Sequence, residues 1–155
     1  MATTTIEQGG LALATREAVA EARRQRLRER LAHTDYLRLV KWLTQVMTQR
    51  EVAAGLGVSQ PAVAGLVKSA EKVPDKREGF SGADAREIAE RYAAGLLTRE
   101  DTIGQLGRWE YQAPVEDDWL NTPGTWVDVE YVADIGLIDA EMYEAIAEMN
   151  EHLYG

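Results

Sequence analysis

The residues able to do chemistry are few and unevenly placed. The chain has only two histidines, His33 and His152, and no cysteine, so neither a thiolate metal site nor a histidine-based triad or metal cluster has a sequence signature. It contains neither a phosphate-cradling GxxxxGK[ST] loop nor a GxSxG turn. Of its 26 Asp and Glu, no spacing singles out two as an acid/base pair, and Asp117–Asp118 alone does not make a cation site. The expectation is a non-enzymatic protein without metal or cofactor. The most concentrated chemistry is the segment WEYQAPVEDDWLNTPGTW at 109–126, where Trp109, Tyr111, Trp119 and Trp126 alternate with Glu110, Glu116, Asp117 and Asp118. Large aromatics beside carboxylates suit a surface that anchors and steers a basic protein, with Trp109, Tyr111, Asp117, Asp118, Trp119 and Trp126 as the contact set. The same aromatics could instead cover a thin core. Arg108 is the only cation flanking them, which argues against single-stranded nucleic acid.

The elements that must position such residues read as helices throughout, an all-α chain. Residues 49–68, QREVAAGLGVSQPAVAGLVK, are the most structured in pattern. Thr48 and Glu51 form a capping box for a first helix over Gln49 to Gly55. Val52, Ala53 and Leu56 would face inward, and Ala53 is small enough to let a second helix cross closely. Gly57 supplies a left-handed turn, Ser59 caps the second helix, and Pro61 falls in its first turn where amides lack intrahelical partners. Val63, Leu66 and Val67 would anchor that helix from behind, leaving its other face outward. Two short helices about a glycine turn also fit a plain αα-hairpin.

This stretch resembles the helix-turn-helix of Cro and phage repressors, the Xre-like type of bacterial regulator. The resemblance spans about twenty residues: Val52–Ala53, Leu56–Gly57–Val58, Ser59–Gln60, Val63 and Leu66. It implies a motif over about 48–70 with a recognition helix over 59–70 lying in the major groove of double-stranded DNA. By position, Gln60, Ala62, Ala64 and Gly65 would meet bases, with Ser59, Lys68 and Ser69 near phosphates; Arg50 and Pro61 complete the expected contact set. Gln60 could read adenine through its amide, and the Ala62 or Ala64 methyl could pack on a thymine methyl. Ala64 and Gly65 stand where larger polar side chains are common in that family, so base readout would be sparse or shared. The implied protein is a dimeric regulator, most simply a repressor, reading half-sites one helical turn apart.

Around the motif, Leu11 to about His33 reads as a long helix whose Leu13, Val19, Leu27 and Leu31 are too widely spaced for a full core stripe. Its Arg23, Arg24, Arg26, Arg28 and Arg30 would lie on phosphates or form a solvated face with Glu17, Glu21 and Glu29. Asp35 would cap a separate helix, Tyr36 to Met47, with Tyr36, Leu39, Val40, Leu43, Val46 and Met47 as a stripe supporting the motif and Trp42 at its edge. Residues 1–73 thus form one unit, the polar Pro/Gly-rich 74–82 a linker, and 83–155 a second unit. In the latter, ERYAAGLLTRED at 90–101 and YVADIGLIDAEM at 131–142 align with Gly95 over Gly136, suggesting two related helical hairpins.

Charge divides along the same line. Residues 1–79 hold 13 Lys and Arg against 9 Asp and Glu, a net of +4, and residues 80–155 hold 4 against 17, a net of −13, which together give the chain's −9. A basic half suits a polyanion and an acidic half suits another partner. That plan is similar to antitoxins, which join a repressor-like unit to a segment that blocks a toxin. It implies an alternative in which residues 80–155 neutralise a basic protein while the N-terminal half represses its own operon. No apolar run approaches the length of a membrane span, and the N-terminus lacks a signal-peptide pattern, so the expected location is the cytoplasm, at the nucleoid.

Overall fold

Residues 32–36, Ala-His-Thr-Asp-Tyr, contain neither glycine nor proline, and the helix runs straight through them. The computed structural model describes residues 2–115 and 123–155, with side chains from residue 8 onward. It is all-α: α1 Ala2–Val46, α2 Gln49–Leu56, α3 Gln60–Glu71, α4 Ala85–Ala93, α5 Arg99–Arg108, α6 Val127–Asp134 and α7 Ala140–Tyr154. Among the described residues the only extended pairing is an isolated bridge between Gln112 and Thr125.

α1 replaces the two helices expected between Leu11 and Met47. It has 45 residues, about 68 Å at 1.5 Å per residue. Asp35 is therefore not a cap. Its carboxylate instead accepts from Arg91, at 3.0 and 2.8 Å, and from Arg38 at 3.3 Å. The Thr34 hydroxyl donates back to Arg30 O, satisfying itself within the helix. The core stripe of α1 also differs from expectation: Leu31, Leu37 and Val40 are buried, whereas Leu39, Val46 and Met47 are exposed. The expected stripe assumed that one neighbour covers one face. In the fold α2 and α3 pack near the C-terminal end of α1 and α4 packs near its middle, so the buried side shifts along the helix.

Two cores result. The smaller joins Val52 and Ala53 of α2 to Val63 of α3, with Leu43 of α1 and Val67 packed against them. The larger joins α4 to α7 through Ile88, Ala89, Leu106, Trp109, Val129, Val132, Ile138, Met142 and Ile146. Its two interhelical turns share one backbone pattern. Gly95 and Gly136 take φ of 77° and 78°. Leu96 N–H donates to Arg91 O at 2.8 Å and Leu137 N–H to Val132 O at 2.9 Å. Thr98 and Asp139 then cap α5 and α7 by accepting from the amides of Asp101 and Met142.

Residues 74–82, polar as they are, are tied down on both sides. Arg38 Nε donates to Pro74 O at 3.1 Å, and Lys41 pairs with Asp75 at 3.2 Å. Phe80 stacks edge-on against Trp109 with centroids 4.7 Å apart, and Ser81 N–H donates to Gln105 Oε1 at 2.7 Å. Between the two cores lies a buried charge cluster. Glu87 accepts from Arg38 at 2.6 and 3.0 Å and from Arg91 at 3.1 and 3.0 Å, while Arg91 also holds Asp35. Burial pushes the Asp35 and Glu87 carboxyls up, but the arginine hydrogen bonds and charges outweigh it and hold both below the usual range.

Candidate nucleic-acid interface

The geometry of α2 and α3 is set by local chemistry. Thr48 Oγ1 accepts from the Glu51 amide at 3.2 Å, and Glu51 reaches back to the Thr48 amide at 2.8 Å, closing a capping box. The Thr48 amide and hydroxyl, by donating to Glu51, hold its carboxyl below the usual range. Gly57 ends α2 at φ 68°, a conformation costly for any residue with a Cβ, and Val58 N–H donates to Ala53 O at 3.1 Å. Ser59 Oγ accepts from the Ala62 amide at 3.2 Å and Pro61 sits in the first turn of α3, where its missing N–H is not needed. Val63 and Ala70 are the buried side of α3. Leu56, expected to face inward, lies at the surface instead.

The opposite side of α3 is free. Ser59, Gln60, Pro61, Ala62, Ala64, Gly65, Lys68 and Ser69 are all exposed, as is Arg50 on α2. The nine residues of the expected contact set therefore lie on accessible surface, eight of them on α3 or its cap. A shallow groove of about 560 Å³ runs beside them, lined by Gly65, Lys68, Ser69, Glu71 and Lys72. Lys72 adds a cation that the spacing argument did not single out, although its position one turn after Lys68 carries the signal. An ideal Cβ built on Gly65 meets no atom within 4 Å, so this face is open at its centre. Chemically it offers one amide at Gln60, two hydroxyls, two methyls and three cations, with Glu51 and Glu71 nearby.

The arginines of α1 divide. Arg28 Nε donates to Ala94 O at 2.6 Å, and Arg30 pairs with Glu90 at 2.8 Å, so both are used in docking α4. Arg24 pairs with Glu21 on its own helix. Arg23 and Arg26 are exposed and line a shallow groove with Leu27 and Arg30.

Trp109, Tyr111 and Trp126 pack in or against the larger core. Trp109 is 6% exposed, flanked by Phe80 and by the Arg77 guanidinium 4.6 Å from its ring, which leaves little surface for a partner. Trp126 stacks on Tyr111, with centroids 5.1 Å apart, and donates from Nε1 to Tyr143 Oη at 3.1 Å. Tyr111 donates to Leu106 O at 2.7 Å, and burial, followed by the Asp128 charge, pushes its hydroxyl well above the usual range. These three thus serve mainly to close the larger core. Asp117, Asp118 and Trp119 lie outside the described residues. Exposed acidity gathers instead at a groove of about 480 Å³ between α6 and α7, lined by Glu130, Ala133, Asp134, Ala140, Tyr143 and Glu144.

Among known proteins, no family model, curated protein or solved structure matches this chain. The functional reading therefore rests on the chain's own residues. No helix among the described residues is long and apolar enough to cross a membrane.

Proposed function

We propose that the protein is a dimeric, sequence-specific DNA-binding regulator that acts by occupying an operator, with α3 as its recognition helix. The supporting observation is the combination of an α3 anchored by Val63 and Ala70 with an outward face made only of small and polar residues, capped at the end that would meet bases. A helix entering the major groove needs a protruding N-terminal half without bulky apolar groups, and this one has it. Gln60 is the base-reading residue, the Ala62 and Ala64 methyls favour thymine, and Arg50, Lys68 and Lys72 meet phosphates. With three such cations per copy, salt dependence is modest, with a log–log slope of about −3 per bound copy.

Selection of fragments from a random DNA pool by the full chain at about 150 mM salt tests the reading. A two-fold-symmetric motif is expected, weakened by about 1 to 3 kcal/mol and relaxed at one base pair per half-site in Gln60→Ala. No enrichment, or a motif indifferent to Gln60 and Lys68, refutes it.

A second reading makes the acidic half the business of the protein, as in an antitoxin. The groove that Glu130, Asp134 and Glu144 surround favours it, since Tyr143 at its floor can receive the stem of a basic side chain. A basic protein that co-purifies with the wild type but not with Glu130→Lys/Glu144→Lys would support this reading.

A further inference from the structure

Leu39, Trp42 and Val46 recur at i, i+3 and i+7 on α1 and are 60%, 57% and 60% exposed. They are left largely in solvent among the described residues: α4 is tied to α1 at Arg38, and α2 and α3 pack on the neighbouring side of α1 through Leu43. At the Leu39 end the stripe runs directly into a groove of about 440 Å³ lined by Asp35, Arg38, Leu39, Asp75 and Lys76. One face of one helix thus carries a large apolar knob and, one turn away, a recess.

We infer that this face is the interface between two copies of the chain, with Trp42 of each copy seated in the groove beside Leu39 of the other. The inference names the surface behind the dimeric reading above and rests on that reading. A two-fold axis crossing α1 between Leu39 and Trp42 makes knob and recess mutually complementary, as an isologous contact requires. The recess offers the Lys76 ammonium, 40% exposed and 3.5 Å from Asp35, to an incoming indole face, a cation–π arrangement. Area agrees as well. The three exposed side chains, with Met47 at 41% beside them, offer on the order of 400 Å² of apolar surface. A standard interface of about 800 Å² per partner, a little over half of it apolar, needs about 450 Å².

Sedimentation velocity of the full chain from low to high micromolar concentration tests the inference, with far-UV circular dichroism to confirm that variants fold. Trp42 is exposed in the single chain, so Trp42→Glu and Leu39→Glu are expected to keep full helicity while raising the dimer dissociation constant by about a hundredfold. Because the chain has no cysteine, Gln45→Cys on the rim of the stripe provides a single attachment point. A short bis-maleimide should link it into dimers, while Leu153→Cys on α7 should remain monomeric. A wild-type dimer that persists unchanged in both Glu variants places the interface elsewhere and overturns the inference while leaving the dimeric reading intact. A wild type that stays monomeric throughout overturns both and assigns the stripe to a different protein. Fragment selection with Trp42→Glu separates these from DNA reading, since loss of the dimer should turn a two-fold motif into a weakly bound half-site.

Discussion

Arg91→Met removes the guanidinium that ties α1 to α4 while keeping most of the side chain's volume. The lost bonds are those from Nε and NH2 to Glu87, at 3.1 and 3.0 Å, and those from NH1 and NH2 to Asp35, at 3.0 and 2.8 Å. Stranding a buried charge costs about 3 to 5 kcal/mol, but neither carboxylate is left alone. Glu87 keeps Arg38 at 2.6 and 3.0 Å, and Asp35 keeps Arg38 at 3.3 Å and Lys76 at 3.5 Å with a third of its side chain in water. The expected destabilisation is therefore about 2 to 3 kcal/mol at pH 7, read from urea unfolding followed by circular dichroism and tryptophan emission. Its pH dependence is specific. Asp35 and Glu87 have folded pKa values below their unfolded ones, so their contribution is complete above the unfolded values near 4 and is lost as pH falls through the folded ones. The gap between wild type and variant should hold from pH 7 to about 5 and shrink below about 4. Tryptophan emission, to which Trp109 and Trp126 of the larger core contribute, should also change before helicity is lost in the variant, because the halves lose a main polar link. Equal stability at pH 7 within about 0.5 kcal/mol, or a gap that does not narrow at all between pH 5 and pH 3, would refute the account of the cluster.

Three further outcomes follow from single positions. Gly57→Ala places a Cβ at φ 68° and should cost about 1 to 2 kcal/mol, whereas Gly65→Ala, in open space inside α3, should gain about 0.5 to 1 kcal/mol; thermal melts of the two should move in opposite directions. Phe80→Ala removes the ring held between Trp109 and the Arg77 and Arg108 guanidinia and should cost about 2 to 3 kcal/mol, with a red shift of tryptophan emission as Trp109 gains water. Tyr111→Phe forfeits the bond to Leu106 O, worth about 1 kcal/mol at pH 7. Because the folded Tyr111 pKa is raised, its stabilisation is full below about pH 10 and lost above it, so alkaline titration at 295 nm should leave one tyrosine silent in the wild type until the protein unfolds.

Where short-range chemistry decides, the sequence was legible. Thr48, Glu51, Gly57 and Ser59 act within three or four residues, and each takes the conformation its type dictates. The 41-residue offset that aligns Gly95 with Gly136 likewise brings out two turns with the same hydrogen bonds, because a glycine with positive φ followed by an N-cap is a local instruction. The long-range features were not legible. Asp35 in a Thr-Asp-Tyr setting looks like a cap, and only Arg91, 56 residues away, explains why it sits inside a helix. Leu39 and Val46 fit a core stripe by spacing, yet both are exposed, because the smaller core draws on Leu43 of α1 instead. Trp109 among carboxylates reads as a surface anchor until Phe80 and Asn150, whose amide donates to Trp109 O at 3.0 Å, are seen around it.

α1 is what makes one molecule of two differently charged halves. It holds α2 and α3 through Leu43, and α4 through Arg30, Asp35 and Arg38, so a single helix fixes where the −13 half stands relative to the outward face of α3. On the DNA-binding reading this has a consequence for affinity. Non-specific affinity depends almost wholly on phosphate charge, and α3 with its flanks brings only Arg50, Lys68 and Lys72 to it, while the attached half carries a net of −13. Base contacts from Gln60 and the alanine methyls are short-range and do not suffer from that field in proportion. That repulsion is the same on random and on cognate DNA, so it lowers both affinities and leaves their ratio to Gln60 and the alanine methyls. Random DNA is then held too weakly to occupy the protein, and a basic partner that neutralised the acidic half would raise both affinities together.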